Sequence, residues 1–148
     1  MLLSQKCQYG LRSIFELAKR HGQGPVRIAD IAEAQAIPLR FLEIILNQLK
    51  QGGFAESQRG NRGGYLLVRS PSELTVGHVI RFLDGPLGPV LCTTGATTDC
   101  PLYGECVFLP MWERVRNAIS AVYDTTTFQD LVDQEKQKRT ASVCSYTI

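Results

Sequence analysis

Five cysteines are the residues of this 148-residue chain with the most distinctive chemistry, and three of them lie close together in sequence. The segment 91–106, LCTTGATTDCPLYGEC, holds Cys92, Cys100 and Cys106 with seven and then five residues between them. The intervening Gly, Thr, Asp and Pro are turn formers, so the pattern predicts a loop. Thiolates are soft ligands that prefer iron–sulfur clusters or zinc to hard cations, which is the chemistry such a loop could support.

The rest of the chain favours a reducing compartment for these thiols. The first 22 residues, MLLSQKCQYGLRSIFELAKRHG, lack the basic region, unbroken apolar core and small-residue cleavage site of a secretory signal. No apolar run approaches the roughly 20 residues needed to cross a bilayer. We therefore expect a cytoplasmic protein with no membrane partner. Structural disulfides are not expected there, and the odd number of cysteines agrees.

The charge of the chain is unevenly distributed. Residues 1–70 carry ten Lys or Arg and five Asp or Glu, whereas residues 71–148 carry six and nine. A basic amino-terminal half is what a polyanion-binding surface requires, because phosphate contacts dominate affinity for nucleic acids. An ordinary solvated face with a few extra cations is equally compatible with this excess taken alone.

Three helices are predicted before residue 53. Helical i, i+3, i+4, i+7 spacing marks the first, with apolar residues at Leu11, Ile14, Phe15 and Ala18. A second, short helix is expected around Ile28, Ile31 and Ala32, and it breaks at residues 35–37. The third has Pro38 in its first turn, where a missing N–H is tolerated, and carries the apolar residues Phe41, Ile44, Ile45 and Leu49.

The helical spacing of apolar residues ends in the next segment, residues 54–68, which reads FAESQRGNRGGYLLV. Phe54–Gln58 and Tyr65–Val68 are predicted strands, joined by a glycine-rich loop that carries Arg59, Asn61 and Arg62. The pattern then returns to a helix with Thr75 as N-cap and an apolar face of Val76, Val79, Ile80 and Leu83.

A long helix is predicted after the cysteine loop. Its apolar stripe is formed by Phe108, Met111, Trp112, Val115, Ile119, Val122 and Tyr123. So many apolar side chains on one helix are difficult to bury within a chain of this size. Core packing and a dimer interface are therefore both open interpretations of the stripe. The tail from residue 134 is polar and aperiodic, and we expect it to be flexible.

Two short helices, a tight turn and a basic hairpin are the parts of a winged helix–turn–helix, a mainly α fold with a small β-hairpin wing. The second helix of this motif enters the major groove, and the wing tip suits a minor groove or the DNA backbone. A helical bundle with an ordinary surface hairpin is the alternative. The residues expected to bind DNA are Leu39, Arg40, Phe41, Glu43, Lys50, Arg59, Asn61 and Arg62.

The same residues carry a family resemblance. The stretch IADIAEAQAIPLRFLEIILNQLKQGGFAESQRGNRGGYLLVRSPSELTVGHVIRFLDG resembles the DNA-binding region of the iron–sulfur-cluster regulator (IscR-like) family of bacterial transcription factors. Its marks are the helix IPLRFLEIIL, the wing SQRGNRGGYLL and the helix that ends in LDG. The resemblance implies a homodimer on a palindromic, double-stranded DNA operator, joined through the long carboxyl-terminal helix.

The resemblance also implies a cofactor. Family members with three cysteines in the loop before the dimer helix hold an iron–sulfur cluster there, commonly [2Fe–2S], and Cys92, Cys100 and Cys106 match those positions. This sequence departs from the family pattern at two places that concern the cluster ligands. Seven residues instead of five separate Cys92 from Cys100, and Leu109 stands where the best-known branch has a histidine.

The fourth ligand is therefore left unassigned. Cys7 is a candidate, although a small residue on a helix face is the favoured interpretation of this cysteine. Gln8, the loop carboxylates Asp99 and Glu105, and Cys144 are the other candidates. The two histidines, His21 and His78, are better explained as helix-end and surface residues.

The predicted organisation has four parts. Residues 1–84 form the winged helix–turn–helix domain, 85–106 the cysteine-containing cluster-binding loop, 107–133 the dimerisation helix region and 134–148 the tail. The expected function is a homodimeric transcriptional regulator whose operator binding is modulated by the cluster. The alternative is a regulator of the same fold that uses the cysteines as a zinc site or thiol-redox switch. No base near a reactive cysteine is indicated, so an enzyme is not expected.

Overall fold

The fold is mainly helical with one small hairpin, as the sequence predicts. The computed structural model describes residues 2–95 and 99–144. The helices are α1 (Gln5–Lys19), α2 (Ile28–Gln35), α3 (Leu39–Gln51), α4 (Val76–Asp84), α5 (Leu109–Thr125) and α6 (Phe128–Cys144). The strands, β1 (Ala55–Gln58) and β2 (Gly64–Leu67), lie between α3 and α4, and a short 3₁₀ turn spans Leu91–Thr93.

A tight turn separates α2 from α3. Ala36 adopts the left-handed conformation, with φ of 51°, and the Ile37 N–H donates to the Ala32 carbonyl at 3.0 Å. Pro38 is extended and stands immediately before Leu39, one position ahead of the first turn predicted for it. This geometry redirects the chain between two short helices, which is the local structure of a helix–turn–helix.

The core is centred on α1, which packs against α2, α3, α4 and α6. On α3 the buried residues follow the i, i+3, i+4, i+7 pattern and are Leu42, Ile45, Leu46 and Leu49. Of the four apolar residues identified along this helix, Ile45 and Leu49 are buried, whereas Phe41 and Ile44 are 43% and 59% exposed. Two apolar stripes overlap on α3, and the one that begins at Leu42 packs on the core.

The hairpin is fixed to the helical body by backbone contacts. Its antiparallel register pairs Ala55 with Leu67 and Gln58 with Gly64. Val26 and Tyr65 exchange two backbone hydrogen bonds of 2.9 and 2.8 Å, which attach β2 to the segment before α2. A Cβ at Gly64 would lie 2.3 Å from the Val26 carbonyl oxygen, so this close approach requires glycine.

Helix α4 begins as predicted. The Thr75 hydroxyl accepts from the His78 N–H, and the His78 Nδ1 accepts from the Thr75 N–H, both at 3.4 Å. Val76, Val79, Ile80 and Leu83 are all buried, which confirms the predicted apolar face. His78 is therefore a capping residue on the surface, in agreement with its interpretation from the sequence.

The long helical region after the cysteine loop is two helices, and a docked turn separates them. Thr126 and Thr127 lie between α5 and α6, where the Thr126 carbonyl accepts from Val76 N–H at 2.9 Å. The Phe128 N–H donates to the Leu74 carbonyl at 3.0 Å, and the Phe128 side chain is fully buried. The turn thus attaches both helices to the winged domain at the start of α4.

The predicted flexible tail is wrong for residues 134–144, which continue α6. Two ion pairs between residues one turn apart lie along this helix, Arg139–Glu135 at 3.4 Å and Lys136–Asp133 at 3.9 Å. Lys19 of α1 contacts Glu135 at 3.1 Å. A polar helix has no apolar period to detect, but strong helix formers and i, i+4 pairs still favour it. The remaining tail, 145–148, lies outside the described residues.

Helix α5 carries the predicted apolar stripe, and the described part of the chain buries none of its residues. Phe108, Met111, Val115 and Val122 are exposed, whereas Trp112, Ile119 and Tyr123 are partly covered. An ion pair with two short contacts, 2.5 and 2.7 Å, joins Arg81 of α4 to Asp124 at the end of α5. No helix among the described residues is long and apolar enough to span a membrane.

Replacing Phe128 by Ala tests the docked turn. Removal of a fully buried aromatic ring should lower the free energy of unfolding by about 3–5 kcal/mol. Val68→Ala, at a position 50% exposed, should change it by no more than about 0.5 kcal/mol. Urea unfolding at matched protein concentration measures both, and a loss below about 1 kcal/mol for Phe128→Ala would show that the turn does not anchor α6.

Candidate nucleic-acid interface and cysteine loop

All eight side chains predicted to bind DNA are exposed, and they occupy two neighbouring parts of the winged domain. On α3 these are Leu39, Arg40, Phe41, Glu43 and Lys50, and at the tip of the hairpin they are Arg59, Asn61 and Arg62. The Lys50 ammonium donates to the Ser57 hydroxyl at 3.2 Å, which connects the end of α3 to β1. The helix and the hairpin are therefore packed directly on each other.

The amino-terminal half of α3 combines charge with apolar surface. The Arg40 guanidinium lies 4.8 Å from the centre of the Phe41 ring, within the range of a cation–π contact. Ile44, the most exposed apolar residue of α3, follows Glu43. Ile44 was not predicted as a site residue. The i, i+3, i+4, i+7 pattern that begins at Leu42 skips position 44, and this signal could have placed Ile44 outside the core.

A groove of about 340 Å³ runs between α1 and this face of α3. Its lining residues are Gln5, Lys6, Tyr9, Phe41, Ile44 and Ile45. The exposed apolar surface of α3 therefore continues to α1, where the Lys6 side chain adds a positive charge at the rim.

A buried carboxylate holds α2 in place behind α3. Glu16 of α1 is almost fully buried and accepts from Gln35, at the end of α2, at 2.8 Å. Arg20 and Lys19 lie 2.9 and 3.4 Å from the same carboxylate. Burial alone would raise the pKa of Glu16, but the Gln35 hydrogen bond and the two cations outweigh it and lower the pKa. The carboxylate is thus ionised and fully paired at neutral pH.

The cysteine loop leaves α4 beside the start of α1 and ends on α5. Asp84, the last residue of α4, accepts from the Ser4 N–H at 2.8 Å and from the Ser4 hydroxyl at 2.5 Å. Arg116 of α5 donates to the carbonyl of Thr93, the residue after Cys92, at 2.7 Å. The Cys106 carbonyl accepts from Leu109 N–H at the start of α5. Both flanks of the loop therefore contact α5.

The three cysteines of the loop are accessible but are not gathered into a ligand set. Cys92 and Cys106 are half-buried and Cys100 is exposed. Within residues 2–95 and 99–142, no group of three or more His, Cys, Asp or Glu side chains is close enough to hold a metal ion. The loop has the donor type that a soft metal or a cluster requires, but its described residues do not form a preassembled site.

Cys7 is poorly suited to be the fourth ligand. Its side chain is fully buried on α1, and this burial, together with the neighbouring Asp84 carboxylate, raises the pKa of the thiol to about 12. A metal ligand must be the thiolate, whereas this thiol is protonated at neutral pH. The interpretation of Cys7 as a small residue packed on a helix face agrees with its position.

The sequence was compared with protein-family models. Residues 3–134 match the Rrf2 model, described as an iron-dependent transcriptional regulator. The chain belongs to the Rrf2 family. Bacillus subtilis CymR, an HTH-type transcriptional regulator, is 37% identical over 131 residues, which cover 88% of this chain and 89% of CymR. The relatives are regulators of transcription, so the prediction that this chain is not an enzyme is confirmed.

Solved structures of Rrf2-type regulators have the same fold. The structure of CymR, the global cysteine regulator of B. subtilis, matches with a TM-score of 0.75 and 35% identity, over 90% of this chain and 98% of CymR. T. potens IscR matches with a TM-score of 0.76 and 32% identity, over 93% of this chain and 90% of that one. The predicted resemblance to IscR-like regulators and the predicted winged helix–turn–helix fold are both confirmed.

Proposed function

We propose that this Rrf2-family regulator is a homodimer that binds a palindromic operator in the bacterial cytoplasm, with an affinity set by its cysteine loop. The observation that carries the proposal is the exposure of the outer face of α3 and of the basic hairpin tip, which adjoin each other in the winged domain. DNA binding agrees with the family, whose members are regulators of transcription.

The amino-terminal half of α3 would enter the major groove. Arg40 can donate to guanine O6 and N7 or to a phosphate, and Glu43 can accept from cytosine N4. Leu39 and Phe41, exposed on either side of Arg40, add contact surface. Lys50, at the far end of α3, is placed for a phosphate contact next to β1.

The hairpin tip would contact the minor groove or the sugar–phosphate backbone. Arg59 and Arg62 supply two positive charges, and Asn61 supplies an amide between them. All three side chains are exposed, and no ion pair of either arginine is found among the described residues. These contacts would contribute affinity through phosphate neutralisation more than sequence specificity.

The apolar stripe of α5 would form the dimer interface. Its exposed members, Phe108, Met111, Val115 and Val122, extend along the whole helix. A second copy could cover them by twofold symmetry, since the same stripe is then apolar on both partners. A dimer of this kind would present two copies of α3 to half-sites about one helical turn apart.

Cys92, Cys100 and Cys106 would hold an iron–sulfur cluster of the [2Fe–2S] type. When bound, such a cluster supplies a redox-active, oxygen-sensitive link among three thiolates. The chain's own contribution is the connection to α5, through the Arg116–Thr93 hydrogen bond and the position of Cys106 at the helix start. Ordering this loop would bias the direction of α5, and with it the spacing of the two DNA-binding domains.

A second candidate is a zinc site or a thiol-redox switch on the same cysteines. One observation favours it: the chain is similar to B. subtilis CymR, which is described as a global cysteine regulator.

Substitution of both wing arginines tests the DNA interface. Arg59→Ala with Arg62→Ala should weaken binding to all duplexes and lower the slope of log affinity against log salt by about 2, because two phosphate contacts are lost. Arg139→Ala removes an exposed arginine from α6 and should leave the slope unchanged. Fluorescence anisotropy from 50 to 200 mM salt measures the slopes, and an unchanged slope in the wing variant would refute the wing assignment.

Anaerobic purification tests the cysteine loop. We expect a brown protein whose visible absorption is lost in Cys92→Ala and Cys106→Ala and retained in Cys7→Ala, since Cys7 lies in the core. Absorption and Mössbauer spectra measure the metal, the nuclearity and the non-cysteine ligation. A colourless protein with stoichiometric zinc, or with no metal, would contradict the cluster and support the second candidate.

A further inference from the structure

The amino-terminal half of α3 exposes more apolar surface than its packing requires. Leu42, Ile45, Leu46 and Leu49 already fill the core side of the helix, and each is at most 3% exposed. Phe41 and Ile44 remain on the outside, next to Arg40 and Glu43.

Neither residue is explained by helix stability or by phosphate binding. Isoleucine is β-branched and forms helices less readily than Lys, Glu or Gln, which are the usual residues at exposed helical positions. An apolar side chain also contributes no charge to a phosphate contact. The exposed position of Ile44 therefore indicates a partner with an apolar group at this place.

We propose that Ile44, supported by Phe41, contacts the 5-methyl groups of thymines in the major groove, so that each operator half-site contains thymine at the facing positions. The inference rests on the proposed DNA-binding function and specifies which base α3 selects. Thymine alone among the four bases presents a methyl group on the major-groove edge, and apolar side chains are its usual contact.

The spacing of the two side chains agrees with such contacts. Residues 41 and 44 are three apart on a helix, so their Cβ atoms lie about 5–6 Å from each other. Successive bases of one strand rise by about 3.4 Å, so the pair spans one to two base steps. Arg40 lies over the Phe41 ring, which holds its guanidinium beside the apolar surface and in reach of a neighbouring guanine or phosphate.

The charges around the apolar surface favour DNA as its occupant. The groove lined by Phe41 and Ile44 is also lined by Tyr9 and Lys6, and the exposed Lys6 ammonium could contact a phosphate. Exposed Arg40, against the Phe41 ring, adds a second positive charge. A protein partner on this surface is the competing possibility, and the experiment below separates the two.

The test removes the methyl groups and the side chain independently. Duplexes are first selected from random-sequence DNA with the wild-type protein. Each thymine of one half-site is then replaced in turn by deoxyuridine, which pairs identically but lacks the 5-methyl group. Affinities are measured at fixed salt for wild type, Ile44→Ala, Ile44→Val and the control Val68→Ala, which shortens an apolar side chain of similar exposure outside α3.

For the wild type we expect one or two thymine positions at which deoxyuridine weakens binding about three- to fivefold, the cost of losing one buried methyl contact. Ile44→Ala should weaken binding to the thymine duplex by a similar factor and lose the sensitivity at that position. Ile44→Val should keep part of the sensitivity, and Val68→Ala all of it. Because Ile44 is exposed and Ala is a good helix former, circular dichroism should be unchanged.

Three results would overturn the inference: a selected half-site without thymine, binding that is insensitive to deoxyuridine, or equal sensitivity in wild type and Ile44→Ala. The last result would assign the methyl contact to another residue and leave Ile44 available for a protein partner. Failure to select any duplex would instead refute the proposed DNA-binding function, so the two failures are distinguishable.

Discussion

The proposed assembly of this molecule depends on one constraint, the largely exposed apolar stripe of α5. Helix α5 is 17 residues long, yet the described part of the chain buries none of them. Covering apolar side chains such as Val115 and Val122 with a partner is favourable, because it removes their surface from water. Helices α1 to α4 and the hairpin, in contrast, share one buried core, which Phe128 and Val132 of α6 complete. The chain therefore combines a well-packed winged domain with a helix whose apolar stripe is left largely exposed by the described residues.

The two ends of α5 have different attachments. At its carboxyl end, the Arg81–Asp124 ion pair and the buried Phe128 connect it to the winged domain. At its amino end, Arg116 and Cys106 connect it to the cysteine loop. Helix α5 therefore links the cysteine loop at one end to the winged domain at the other, so a change in the loop would act on the winged domain through this helix. In a dimer, the same helix would also set the distance between two such domains.

Much of the fold could be predicted from apolar periodicity and turn residues. The helix–turn–helix, the hairpin and the Thr75 cap follow from local signals that tertiary packing does not override. One prediction was wrong for a physical reason, and the sequence left the buried face of α3 undecided. Phe41 and Ile44 lie beside a second stripe with the same helical period, so counting apolar residues alone could not choose between the two faces. Residues 134–144 are helical without any apolar period, because ion pairs and helix formers stabilise them.

The site was predicted unevenly. The residues predicted after Pro38 and in the glycine-rich loop are all exposed, and their role in DNA binding remains a proposal. The cysteine spacing identified a loop, but a ligand set depends on how distant atoms converge in space, which spacing does not determine. The break at Thr126 and Thr127 was also not predicted, because it depends on the Phe128 side chain, which packs in the core of the winged domain.

Sedimentation analysis of the full chain and of Val115→Arg measures whether the α5 stripe forms the dimer interface. We expect the wild type to be a dimer at micromolar concentration and the variant, with an arginine in the middle of the stripe, to be a monomer with unchanged helix content. Glu113→Arg introduces the same residue on the opposite, exposed face of α5 and should remain a dimer. A monomeric wild type, or a Val115→Arg variant that stays dimeric, would contradict the assignment of α5 as the dimer interface.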